Sequence, residues 1–276
     1  MTIPEEMDEL SLDEGFAFSC YPGISCFNAC CRDLHQFLTP YDVLRLKRHF
    51  SMSSASFLER YTARHTGPQT GLPVVTLKPG DKISLACPFV TSEGCSVYAD
   101  RPSSCRIYPI VRVLSRSRQT KELSARYMLL QEPHCNGFSG GSRQTVREWM
   151  ESQGLGVYNA FNDAMMTVIA MKNQCMQAPL PAGAAALCYT ACYDLDRFRE
   201  LLAAKQLDLS GIAQAPPEAD QVPDEQVLRF SLTFVREKIR QCAGVPAGDA
   251  DFPEIAEIIG DADGAGRQSS PGPGRH

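Results

Sequence analysis

Four cysteines fall within the twelve-residue stretch CYPGISCFNACC, and two of them, Cys30 and Cys31, are adjacent. A second burst, CPFVTSEGCSVYADRPSSCR, adds Cys87, Cys95 and Cys105, and Cys135 follows in EPHCNGF. Eight of the chain's 12 cysteines thus lie between Cys20 and Cys135. At 276 residues and 43% hydrophobic, the chain can bury a core without covalent staples. Its first twenty residues, MTIPEEMDELSLDEGFAFSC, are acidic and lack a basic segment followed by an apolar core. The expectation is therefore a cytoplasmic chain, in a compartment where thiols stay reduced. There, clustered cysteines point to bound metal more than to disulfides.

Thiolates suit zinc and iron–sulfur clusters, and four of them complete a tetrahedral ion or a cubane. Cys26 and Cys30, three residues apart, can offer two sulfurs from one loop. The side chains of Cys30 and Cys31 diverge, so this pair suits two metals, or one metal and the core. The eight thiols could form two four-cysteine zinc sites, one iron–sulfur cluster with spare thiols, or a compact multinuclear site. For any single cysteine the alternative is a buried small hydrophobe.

The pattern along the chain predicts an α+β protein: a small cysteine-rich metal-binding unit with short hairpins, then a mainly helical C-terminal region. The expected segments are a flexible leader (1–15), the cysteine-cluster domain (16–140) and helices packed on it (141–176). A linker (177–186), a helical region (187–245) and a largely disordered tail (246–276) complete the division. Thr39, Pro40 and Asp42 signal a helix start in FLTPYDVLRLKRHF. SSASFLERYTARH reads as a second helix, and PVVTLKPGDKISLAC as two strands around a Pro-Gly turn. IYPIVRVLSRS and ELSARYMLLQ read as a further hairpin with Arg116 to Lys121 at its polar end. Helices are expected at 142–153, 157–175, 188–204 and 224–241.

The residues around Cys26 to Cys31 and Cys87 to Cys105 resemble the YkgJ-type cysteine-cluster family. That family has an early cysteine group ending in a Cys-Cys pair and a T-P-x-D helix start. A block of the form C-P-F, C, Y-x-x-R-P-x-x-C-R-x-Y-P follows. Here these stand as CFNACC, LTPYDVLRL and CPFVTSEGCSVYADRPSSCRIYP, and the resemblance covers about residues 16 to 140. The first group is spaced C-x5-C-x3-CC, looser than the family's C-x2-C-x2-CC. The resemblance implies zinc or iron held by Cys26, Cys30, Cys31, Cys87, Cys95 and Cys105, with Cys20 and Cys135 next. It implies no settled activity. A related cluster in flagellin lysine N-methylases resembles an iron–sulfur centre, which makes an iron–sulfur modification enzyme one alternative. A redox or metal sensor whose C-terminal helices dock a protein partner is another.

Other groups carry weaker signals. His134 and His35 could ligate metal, but a surface role is favoured for both. Arg101, Arg106 and Tyr108 surround Cys105 and could donate to thiolates, or Arg101-Pro102 could simply cap a turn. Cys188 and Cys192, one helical turn apart, read as core, and Cys175 and Cys242 as structural. A net charge of -5 argues against a nucleic-acid surface, despite Arg112, Arg116, Arg118 and Lys121. No apolar run is long enough to span a membrane. No glycine-rich phosphate loop, radical SAM signature or hydrolase triad is visible.

Overall fold

The computed structural model describes residues 7–33, 35–117, 123–218, 220–246 and 254–260. In chain order it opens with strands β1 (Asp8–Leu10), β2 (Gly15–Ala17) and β3 (Phe37–Leu38). Helices α1 (Pro40–His49) and α2 (Ser54–Tyr61) precede strands β4 (Thr62–Thr66), β5 (Pro73–Leu77), β6 (Val90–Thr91) and β7 (Gly94–Cys95). Then come α3 (Ser103–Ile107), β8 (Ile110–Arg116), β9 (Leu123–Leu129), β10 (Arg143–Thr145) and α4 (Val146–Ser152). The remainder is helical: α5 (Leu155–Cys175), α6 (Ala182–Cys192), α7 (Leu195–Ala203), α8 (Asp224–Ala243) and α9 (Ile255–Ile259). The fold class is α+β.

The chain divides into two compact units. Among the described residues the first holds 7–33 and 79–156, and the second 35–78 and 157–260. In the first unit β8 and β9 form an antiparallel hairpin, from Ile110 opposite Leu129 to Arg116 opposite Leu123. Strand β1 extends this sheet along β9, and β10 pairs with β2. Leu10, Phe16, Phe18, Ile110, Tyr127, Leu129 and Val146 form a buried cluster, with Trp149 packed against it. Trp149 meets Phe16 and Phe18 edge-on, at 6.2 and 5.8 Å between centroids, an arrangement the ring quadrupoles favour. Its indole N–H donates to the Ile107 carbonyl at 2.9 Å. These contacts fix the chain at Phe18, two residues before Cys20.

In the second unit α1 begins at a reciprocal cap: the Thr39 side chain accepts from the Asp42 amide, and the Asp42 carboxylate accepts from the Thr39 amide. Strands β3, β5 and β4 make a three-stranded sheet with β5 central. Val227, Leu228, Leu232, Val235 and Ile239 of α8 are all buried, as helical periodicity requires of a core-facing stripe. Cys188 and Cys192 are buried here too. The Lys47 Nζ donates to Asp196 Oδ1 at 2.5 Å and lies 3.3 Å from Asp224 Oδ2. The Ser54 amide also donates to Asp196, at 2.6 Å.

Burial works to raise the Asp196 and Asp224 carboxyls. Lys47 outweighs it, with Ser54 at Asp196 and with Arg199 and Arg48 at Asp224, so both stay below the ordinary 3.8. Such depressed carboxylates contribute stability above the unfolded pKa and lose it as pH falls through the folded one. Lys47→Met keeps the apolar stem but leaves both carboxylates without this cation. It is expected to destabilise this unit by about 2 kcal/mol at neutral pH, with the difference from wild type shrinking below about pH 4. Denaturant melts at pH 7 and pH 3, followed by helix ellipticity, measure both effects.

Several local expectations change on tertiary contact. Within the expected leader, Leu10 is buried and Asp8–Leu10 pairs with β9. The α2 helix stops at Tyr61, and Thr62–Thr66 pairs with β5 instead, which replaces the expected 73–87 hairpin. Residues 81–85 offer that hairpin no apolar face, with Ile83 94% exposed, and only Ala86 bridges to Arg32. Residues 143–145 are strand, and α4 starts after the Thr145–Glu148 capping box. The Ala-rich end of the expected linker is the start of α6, as helix propensity favours. The helix expected over 188–204 breaks at Tyr193, where Asp194 caps α7. Ile255 and Ile259 of α9 are buried within the expected tail. The DGAGRQSSPGPGRH segment and residues 118–121 of the basic hairpin end lie outside the described residues. Among the described residues no helix is long and apolar enough to cross a membrane.

Candidate metal centre

The eight clustered cysteines all belong to the first unit. None of the 12 cysteines forms a disulfide. Three short loops and one short helix carry the eight. Cys20, Cys26, Cys30 and Cys31 lie on the loop after β2, which ends in a single 3-10 turn at Ala29–Cys31. Cys87 and Cys95 bracket the β6–β7 hairpin, where Val90 faces Cys95. Cys105 sits on α3, and Cys135 begins the turn at Asn136–Phe138.

Backbone and side-chain contacts tie these segments together. The Cys87 amide donates to the Cys31 carbonyl at 2.8 Å, beside the Arg32–Ala86 bridge. The Asn136 amide donates to Cys26 Sγ at 3.2 Å, and its side chain donates to Ser25 Oγ at 2.7 Å. The Ser19 amide donates to the Gly137 carbonyl at 3.0 Å. A Cβ on Gly137 would stand 2.4 Å from the Phe18 ring, so only glycine lets these two loops meet so closely. Beside Cys20 and Cys135, Ser19, Tyr21, Ile24, Asn136, Ser139, Gly140 and Gly141 line an open cavity of about 320 Å³.

The thiols act on one another electrostatically. Loss of surrounding water pushes Cys20 up to about 11, reinforced by Cys30, Cys26 and Cys135. A hydrogen bond from Cys31 pulls Cys30 down to about 7, and the same bond drives Cys31 far up, helped by burial, Cys87 and Cys105. Burial first, then neighbouring thiols, raises Cys87; burial likewise raises Cys95, with Cys30 adding to it. Every one of the eight is therefore in the field of another. Cys188, Cys192 and Cys242 lie in the second unit: burial first and then Cys242 raise Cys188, against Lys238, and burial and then Cys188 raise Cys192. Crowded thiols resist ionising together unless a cation compensates them, which a thiophilic metal does. Among the described residues no three His, Cys, Asp or Glu side chains already converge on one ion position.

The candidates around the cysteines separate. His134 lies 3.8 Å from Glu132 and its field reaches Cys30. His35 is exposed and belongs to the second unit. Arg106 spends its Nη donors on the carbonyls of Gln153 and Ala99, at 2.7 and 2.6 Å. The Tyr108 ring meets Phe18 edge-on, and burial beside Cys135 pushes its phenol far up. Sequence reading missed Asn136 and Gln153. The only signal for Asn136 was its place directly after Cys135, and Gln153 carried none.

Eight free thiols carried by neighbouring loops and one short helix of the first unit define a cysteine-rich domain. Residues 19–136, less than half of the chain, match the family model CxxCxxCC, described as a putative zinc- or iron-chelating domain, and are similar to that family over this stretch. No curated protein and no solved structure matches the chain.

Proposed function

We propose that the first unit chelates zinc or iron through all eight clustered cysteines, arranged as two four-sulfur sets that meet at Cys30–Cys31. Cys20, Cys26, Cys30 and Cys135 make the first set, and Cys31, Cys87, Cys95 and Cys105 the second. The observation that carries this reading is the vicinal pair itself. Cys31 is tied to Cys87 through the backbone, while Cys30 acts on Cys20, whose other partners are Cys26 and Cys135. Cys30 also acts on Cys87 and Cys95, as two centres separated by one peptide bond would require. Bound metal would supply charge compensation for the thiolates and, if iron, redox capacity. The chain's own residues gather the sulfurs, steady Cys26 through the Asn136 amide and leave an opening beside Cys20. A reducing cytoplasmic setting agrees with the absence of disulfide bonds among these closely spaced thiols.

Anaerobic purification followed by metal and acid-labile sulfide analysis tests this. Two zinc ions per chain with no colour is the expected result for two closed thiolate sites. Iron with equivalent sulfide and a brown chromophore would instead favour the iron–sulfur reading and bring a modification enzyme forward. Folded, reduced protein that takes up neither metal overturns the proposal.

A further inference from the structure

Arg101 and Arg106 flank Cys105 and are both buried, at 7% and 8% exposure, yet they are used differently. Arg106 is spent on two backbone carbonyls. Arg101 sits over the Tyr98 ring, 3.7 Å from its centroid, and donates from Nη2 to the neutral Gln153 side-chain carbonyl. Its Nε and Nη1 are buried with no hydrogen-bond partner. A guanidinium keeps its proton in a protein, and unpaired buried donors on a fixed charge are costly. Arg101 directly precedes Pro102, the cap of the short helix that carries Cys105, and follows the β6–β7 hairpin that ends at Cys95.

We propose that Arg101 is the counter-cation of the metal–thiolate centre, its Nε–H and Nη1–H held ready for sulfurs that become anionic when metal loads. This rests on the chelation reading above. A dication held by four thiolates is an anion overall, and burying it near a cation offsets that surplus. Arginine suits the task because it has no lone pair to compete for the metal and presents its donors in a rigid fork. Tyr98 holds the plane from one side and Gln153 anchors the far nitrogen. Arg101 is thus a positioning residue and not a ligand.

The test uses the full chain with zinc and ferrous iron offered separately. Chelator competition gives the affinity, and melting of metal-free and loaded protein gives the stability. Arg101→Met is expected to weaken metal binding roughly 10- to 100-fold. It should also lower the melting temperature of loaded protein more than that of metal-free protein. Arg101→Lys, which keeps charge but loses the fork, should fall between, and Gln153→Ala, which frees only the far nitrogen, should weaken binding less than Arg101→Lys. Wild-type affinity in Arg101→Met, or equal destabilisation with and without metal, overturns the inference. Should Arg101→Met not fold, wild-type affinity in Arg101→Lys, or a loss in Gln153→Ala as large as in Arg101→Lys, overturns it. A wild-type chain that binds neither metal overturns the chelation reading and this inference with it.

Discussion

Stripping metal from this chain is expected to melt the cysteine loops of the first unit while the second unit keeps its fold. No residue from Ser19 to Asp33 is buried, so apolar packing gives this loop almost nothing to offset its ordering entropy. The buried apolar side chains lie mostly in the second unit, where α8 alone buries Val227, Leu228, Phe230, Leu232, Phe234, Val235 and Ile239. A structural zinc can contribute on the order of 10 kcal/mol to folding, far more than the hydrogen bonds that tie these loops together. The chain's single tryptophan, Trp149, packs on Phe18 at the entry to the loop and reports on the first unit alone. Under a strong chelator and reductant, its emission should shift, and protease should begin to cut within residues 19–33. Far-ultraviolet helix signal from the second unit should persist. Unchanged emission and protection after complete metal removal would rule out a structural role and favour a site that works through metal exchange or catalysis.

Single serine substitutions should divide the cysteines into three groups. Cys135→Ser and Cys87→Ser are each expected to lose one of two bound metals, because a four-thiolate ion tolerates the loss of a sulfur poorly. Cys192→Ser should keep both metals. It places a hydroxyl at a fully enclosed position of the helical unit and should cost that unit about 1–3 kcal/mol. Metal content per chain and denaturant melts separate the groups. Complete loss of metal in both Cys135→Ser and Cys87→Ser would instead describe one shared multinuclear centre. Any loss of metal in Cys192→Ser would contradict the assignment of ligands to the first unit.

What was legible in the sequence is what short-range chemistry decides. The α1 start follows from Thr39, Pro40 and Asp42, whose cap closes within four residues. The β8–β9 hairpin and the α8 stripe follow from alternation and from 3.6-residue periodicity, each read in one window. The bunching of eight cysteines marked the candidate ligands, since thiol chemistry does not depend on which loops finally meet.

Pairing across long separations was not legible. Whether Thr62–Thr66 continues a helix or becomes a strand depends on β5 being free of the 81–86 segment, which no local preference announces. The membership of 35–78 in the helical unit depends on contacts with residues more than a hundred positions away, such as Asp196 with Lys47 and Ser54. Arg101 and Arg106 are equally plausible partners of Cys105 in the sequence. Only the tertiary structure tells them apart, bringing the Ala99 and Gln153 carbonyls to one guanidinium and leaving two buried donors of the other unpaired.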